Sequence, residues 1–76
     1  MPEFAVVVTM PDCPRCTACK LDLRGRGLAI TEISHEDAMQ RHDRDEYMAA
    51  LADNNMAFPI VNISAHQSGG WSGWKN

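Results

Sequence analysis

The fold is decided by residues 4–19: Phe4-Ala5-Val6-Val7-Val8-Thr9-Met10-Pro11-Asp12-Cys13-Pro14-Arg15-Cys16-Thr17-Ala18-Cys19. The first five are apolar and rich in β-branched side chains, and Thr9 to Asp12 ends the run with turn formers. An unbroken apolar run of this length fits a strand covered on both faces, and so a central strand. Pro14 suits the first turn of a helix, where its missing N–H is not needed and its φ is already set. From Pro14 to Arg26 the residues favour helix, with Gly25 and Gly27 available as a C-cap. Cys16, Cys19 and Leu23 then share one helical face at i, i+3 and i+7.

Leu28-Ala29-Ile30-Thr31-Glu32-Ile33 has the length and composition of a strand. Following a helix, it implies a right-handed βαβ crossover and parallel pairing with the first strand. Ser34-His35-Glu36-Asp37 and Asp43-Arg44-Asp45-Glu46 each fit a capping box, so a second helix is expected to start at one of them. It runs through Tyr47, Met48 and Leu51 and ends at Asp53-Asn54-Asn55. Phe58-Pro59-Ile60-Val61-Asn62-Ile63 reads as a loop leading into a third strand, and Ser64 to Gly70 as a polar turn before Trp71-Ser72-Gly73-Trp74. The expected order is β-α-β-α-β-β, one α/β domain over residues 1–76.

Composition narrows the function. Seven Lys+Arg against ten Asp+Glu give a formal net charge of -3, and no basic run could neutralise a phosphate backbone, which argues against a nucleic-acid partner. The longest apolar run, Phe4 to Val8, is far short of the roughly 20 residues that cross a bilayer, and it lacks the flanks of a signal peptide. No membrane role and a cytoplasmic location are therefore expected. Domains this small often need a staple, and the chain has three cysteines among its 76 residues. All three lie between Cys13 and Cys19, whereas a secreted scaffold spreads an even number along the chain. A Cys13–Cys16 bond would close too small a loop to constrain the unfolded chain much, so its value is chemical.

At a strand-to-helix junction, Cys13-Pro14-Arg15-Cys16 reads as a redox-active pair. The free N–H groups and positive dipole end of the helix favour an anion, lowering the pKa of the thiol at Cys13. Cys13 is then the nucleophile and Cys16, one turn deeper, the resolving thiol. Pro14 fixes the first turn, and the charge of Arg15 should help stabilise the thiolate against the opposing Asp12. A ferredoxin-type cluster needs a further cysteine where Leu23 stands and a proline where Arg24 stands, so that reading fails. A zinc site using His35 is possible on ligand type, but Cys16 and Cys19 on a core-facing stripe would point away from it, and no metal is expected. Cys19 is read as a small core residue beside Leu23, and Lys20 and the histidines as surface or packing residues.

The Cys-x-x-Cys motif at that junction, Phe58-Pro59-Ile60-Val61 before the third strand, and Trp71-Ser72-Gly73-Trp74 near the end together resemble the glutaredoxin-like redoxins. Within that group the chain is most similar to the NrdH-redoxins. The resemblance covers Phe4 to Trp74. It implies a minimal thioredoxin fold, no bound cofactor, reduction by thioredoxin reductase with electrons from NADPH, and electron supply to a class Ib ribonucleotide reductase. It also implies that Pro59 is a cis-proline whose loop faces the disulfide, that the Phe58 backbone pairs with an incoming chain, and that Trp71, with Ser72 and Gly73, lies near the active site. Pro14 is shared with the Cys-Pro-Tyr-Cys of true glutaredoxins, so a glutathione-dependent glutaredoxin is the alternative. Against it, Trp71-Ser72 stand after Gly69-Gly70 where glutaredoxins carry an acidic residue for the tripeptide. The family continues into a final helix where this chain has Lys75-Asn76, so a truncated or absent helix, a thinly covered sheet face and a monomer or weak dimer are expected.

Overall fold

The computed structural model describes residues 4–63 and 70–74. β1 (Phe4–Thr9), α1 (Pro14–Gly25), β2 (Ala29–Ser34), α2 (His35–Met39), α3 (Arg44–Asp53), β3 (Ile60–Ile63) and β4 (Trp71–Gly73) form an α/β structure with one mixed sheet in the order β2-β1-β3-β4. β1 pairs in parallel with β2, Phe4 against Ala29 through Thr9 against Ser34, and antiparallel with β3, which pairs antiparallel with β4. No helix among the described residues is long and apolar enough to cross a membrane.

The apolar run behaves as its composition dictates. Ala5 and Val7 face a cluster with Cys19, Leu23, Leu28, Val61 and Trp74 on the α1 side. Val8 faces a second cluster with Ala38, Tyr47, Leu51, Ile60 and Trp71, beneath α2 and α3, and Val6 packs against its edge. Side chains alternate along a strand, so a run of apolar residues feeds both layers at once. Burying a valine or leucine in this way contributes about 1.5–3 kcal/mol.

α1 is closed off by Gly27, two residues beyond its end, whose φ of +85° lies in the left-handed region that glycine adopts without penalty. The Gly27 N–H donates to Arg24 O (2.9 Å) and the Leu28 N–H to Leu23 O (3.1 Å), the bond pair of a Schellman cap. Leu28 thereby lands on Leu23 in the α1-side core.

Between β2 and β3 the structure corrects the sequence reading, because both capping sequences start helices and the order is β-α-β-α-α-β-β. Ser34 Oγ accepts the Asp37 N–H at 3.1 Å and starts α2. Asp43 precedes α3 but makes no side-chain cap bond. Its two carboxylate oxygens are taken instead by Arg41 Nε and Trp71 Nε1, each at 2.9 Å. α3 closes over Asn54, with Asn55 and Met56 at φ of +57° and +58°.

The three-residue spacing of Trp71 and Trp74 places their indoles on opposite faces of the sheet. Each ring has an arginine over it, Arg41 over Trp71 and Arg15 over Trp74, both 5.3 Å from the ring centroid. Each indole N–H has an aspartate acceptor at 2.9 Å, Asp43 for Trp71 and Asp22 for Trp74. Gly73 lies so close to Asn54 that a Cβ there would collide with the Asn54 side chain, which donates to Ala57 O. The polar turn expected from Ser64 to Gly70 lies, but for Gly70, outside the described residues, as do Lys75 and Asn76.

Candidate functional site

The turn after β1 carries the chain into α1 through Asp12, whose φ is +56°. Cys13 follows in extended conformation as the N-cap, with Pro14 in the first helical turn. Cys13 and Cys16 are joined by a disulfide, their Cα atoms 5.2 Å apart. The Cys16 N–H donates to both Cys13 Sγ (3.1 Å) and Cys13 O (3.1 Å), and the Thr17 N–H to Cys13 O (3.2 Å). One donor left open at the helix start, the Cys16 N–H, is thus aimed at Cys13 Sγ, a contact that favours a thiolate there when the bond is reduced. Cys13 is half-buried, whereas Cys16 is only 3% exposed.

A cleft of about 440 Å³ opens over this pair, lined by Met10, Asp12, Cys13, Pro14, Cys16, Thr17, Lys20 and Glu32. One wall is a polar junction of three elements. Glu32 on β2 accepts from Thr9 Oγ1 at the end of β1 (2.7 Å) and from Lys20 Nζ on α1 (3.1 and 3.2 Å). The Thr9 hydroxyl and then the Lys20 ammonium hold the Glu32 carboxyl below its ordinary range, so it stays ionised.

The residues singled out from sequence divide between four places. Asp12, Cys13, Pro14 and Cys16 meet at the cleft. Arg15, expected to support the thiolate, turns its guanidinium over the Trp74 ring and donates to Trp74 O at 3.2 Å. Trp71, Ser72 and Gly73 line a different cavity of about 220 Å³ with Ala50, Asp53 and Asn54. The Phe58–Pro59 peptide bond is cis, Pro59 is buried, and Phe58 meets the His35 ring edge-on with centroids 6.0 Å apart.

Cys19 is buried and free, and burial, reinforced by Asp22, pushes its thiol up to about 11. It fills the core beside Leu23. His35, read from sequence as a surface or packing residue, has a polar partner: its Nδ1 lies 2.7 Å from the Tyr47 hydroxyl. Burial pushes that hydroxyl up to about 12, so it remains protonated.

Sequence reasoning set Lys20 aside as a surface or packing residue and did not single out Glu32. Lys20 stands one helical turn beyond Cys16 on the same face, a spacing that was available as a signal. Glu32 becomes visible only once the parallel register sets it opposite Val7. Among the described residues no group of three or more His, Cys, Asp and Glu side chains is placed to hold a metal ion.

Compared with known proteins, the chain matches no family model, no curated protein and no solved structure.

Proposed function

We propose that this chain is a dithiol–disulfide electron carrier of minimal thioredoxin fold, working in the manner of an NrdH-redoxin. The observation that carries the reading is the Cys13–Cys16 disulfide at the start of α1, open to a cleft and with the Cys16 N–H directed at Cys13 Sγ. In the reduced protein the Cys13 thiolate attacks a disulfide of a substrate protein. A bond forms between Cys13 Sγ and one substrate sulfur, and the other substrate sulfur leaves with the electron pair and takes a proton. The Cys16 thiolate then attacks Cys13 Sγ, releasing the second substrate thiol and leaving the oxidised pair. Two electrons pass to the substrate, and an upstream reductant restores them.

On this reading the substrate is a class Ib ribonucleotide reductase and the reductant is thioredoxin reductase, drawing on NADPH. The test follows NADPH consumption with thioredoxin reductase and, separately, with glutathione and glutathione reductase. Turnover in the first assay supports the reading. Turnover only in the second makes the chain a glutathione-dependent glutaredoxin, the alternative that Pro14 favours. Elemental analysis of protein purified under reducing conditions completes the test, since stoichiometric zinc would turn the cysteines into ligands of a small binding module.

A further inference from the structure

Cys16 poses a problem that the carrier reading leaves unsolved. When a reductant thiolate attacks Cys13 Sγ, a new S–S bond forms there, the Cys13–Cys16 bond breaks, and its electron pair departs on Cys16 Sγ. In the opposite half-reaction Cys16 must again be a thiolate, now as the nucleophile. Yet Cys16 is 3% exposed, and burial disfavours a bare thiolate. A helix start assists the sulfur at the N-cap most, and its effect fades within the first turn. A cation beside the second cysteine would offset that cost.

The sequence offers two candidates, and the structure separates them. Arg15 is engaged with the ring and carbonyl of Trp74 and is absent from the cleft wall. Lys20 lines the cleft together with Cys16 and lies at i+4 from it. Its Nζ is fixed by both oxygens of Glu32, which Thr9 anchors in turn. A lysine so held gives up less side-chain freedom when it meets a charge.

Resting on the carrier reading above, we propose that the Lys20 ammonium, positioned by Glu32 and Thr9, is the cation that stabilises the Cys16 thiolate in both half-reactions. The remaining charges around Cys16 are accounted for. Asp12 from the β1–α1 turn and Glu32 from β2 share the cleft and oppose the thiolate. Asp22 is occupied by Trp74 and Arg26, while Arg24 acts on Glu32. Cys19, one turn further on, is pushed up to about 11 and stays protonated while Cys16 titrates.

The test titrates Cys16 by thiolate ultraviolet absorbance in a Cys13→Ser background, which removes the disulfide partner. Adding Lys20→Met should raise the Cys16 midpoint by about one unit, a tenfold loss of thiolate at fixed pH, as expected for removing one nearby opposite charge. Lys20→Arg should recover most of that loss, which a purely structural role for the side chain would not predict. Arg15→Gln should move the midpoint less than Lys20→Met does. A Lys20→Met loss smaller than about threefold, or an Arg15→Gln effect as large, overturns the assignment. The NADPH assays judge the carrier reading separately: a chain that turns over without the Lys20 shift loses only this assignment, and one that shows the shift without turnover loses only the carrier reading.

Discussion

Replacing Asp43 with alanine is the most informative perturbation away from the cleft. Its carboxylate accepts the Trp71 indole N–H on one oxygen and the Arg41 Nε–H on the other, both at 2.9 Å, with the side chain 14% exposed. Asp43→Ala leaves the N–H of a buried ring without an acceptor, which costs about 1–3 kcal/mol. The ion pair with Arg41, partly open to water, adds about 0–1 kcal/mol. The sum is about 1–4 kcal/mol, centred on about 2.5, against a total stability of about 4–11 kcal/mol for 76 residues. With a urea m-value of about 1 kcal/mol/M for so small a domain, the unfolding midpoint, followed by circular dichroism, should fall by about 2.5 M. In a Trp71→Phe background the same substitution should cost at least about 1 kcal/mol less, because the indole donor is already gone. Equal costs in the two backgrounds would refute the assignment of Asp43 to Trp71. Acid gives an independent check. The Arg41 hydrogen bond, and after it the Trp71 bond, holds the Asp43 carboxyl below its ordinary range. Its contribution is therefore present above the usual carboxylate pKa and lost as pH falls through the lowered one, so wild type and Asp43→Ala should converge in stability on acidification.

Three further outcomes follow. Cys13→Ser should abolish disulfide turnover, whereas Cys16→Ser should accumulate a mixed disulfide with the substrate, visible on a non-reducing gel. Burial pushes the Cys19 thiol from 9.0 up to about 11, so the unfolded chain gives up this proton first. Its contribution is full below about pH 9 and lost as pH rises through about 11, a decline of about 2–3 kcal/mol that Cys19→Ala should remove from alkaline denaturation series. Met56 is exposed at a φ of +58°, so Met56→Gly should relieve the left-handed conformation and stabilise the fold by about 0.5 kcal/mol, a rise of a few degrees in Tm by calorimetry.

The central strand, the Cys16-Cys19-Leu23 stripe, the Gly27 cap and the parallel pairing of the first two strands were legible because each rests on local periodicity or one residue's backbone preference. The split of the expected second helix was not legible from capping boxes alone. Ser34 spends its side chain on the helix, whereas Asp43 spends its carboxylate on Arg41 and on Trp71, 28 residues away. The same limit applies at the site. The cysteines and Pro14 declared themselves by spacing, but the commitment of Arg15 to Trp74 spans 59 residues, and the Thr9–Glu32 bond spans 23. Such contacts depend on which strands become neighbours, and no local pattern encodes that. His35 and Tyr47 illustrate it again, since each appears in a polar or amphipathic segment and they meet only because α3 folds back against α2.

A sheet also has to avoid growing by capture of other chains, and the position of Glu32 bears on this. β2 is a terminal strand of the sheet, and its sequence Ala29-Ile30-Thr31-Glu32-Ile33-Ser34 would, without its one charge, be an apolar and β-branched template for strand addition. Glu32 interrupts that template and is fixed in its interruption by Lys20 and Thr9. At the opposite end β4 spans only three residues, too short to recruit a neighbour. The charge beside Cys13 and Cys16 thus also guards the edge of the sheet, and a chain that lost it would risk polymerising along the very edge that borders its cleft.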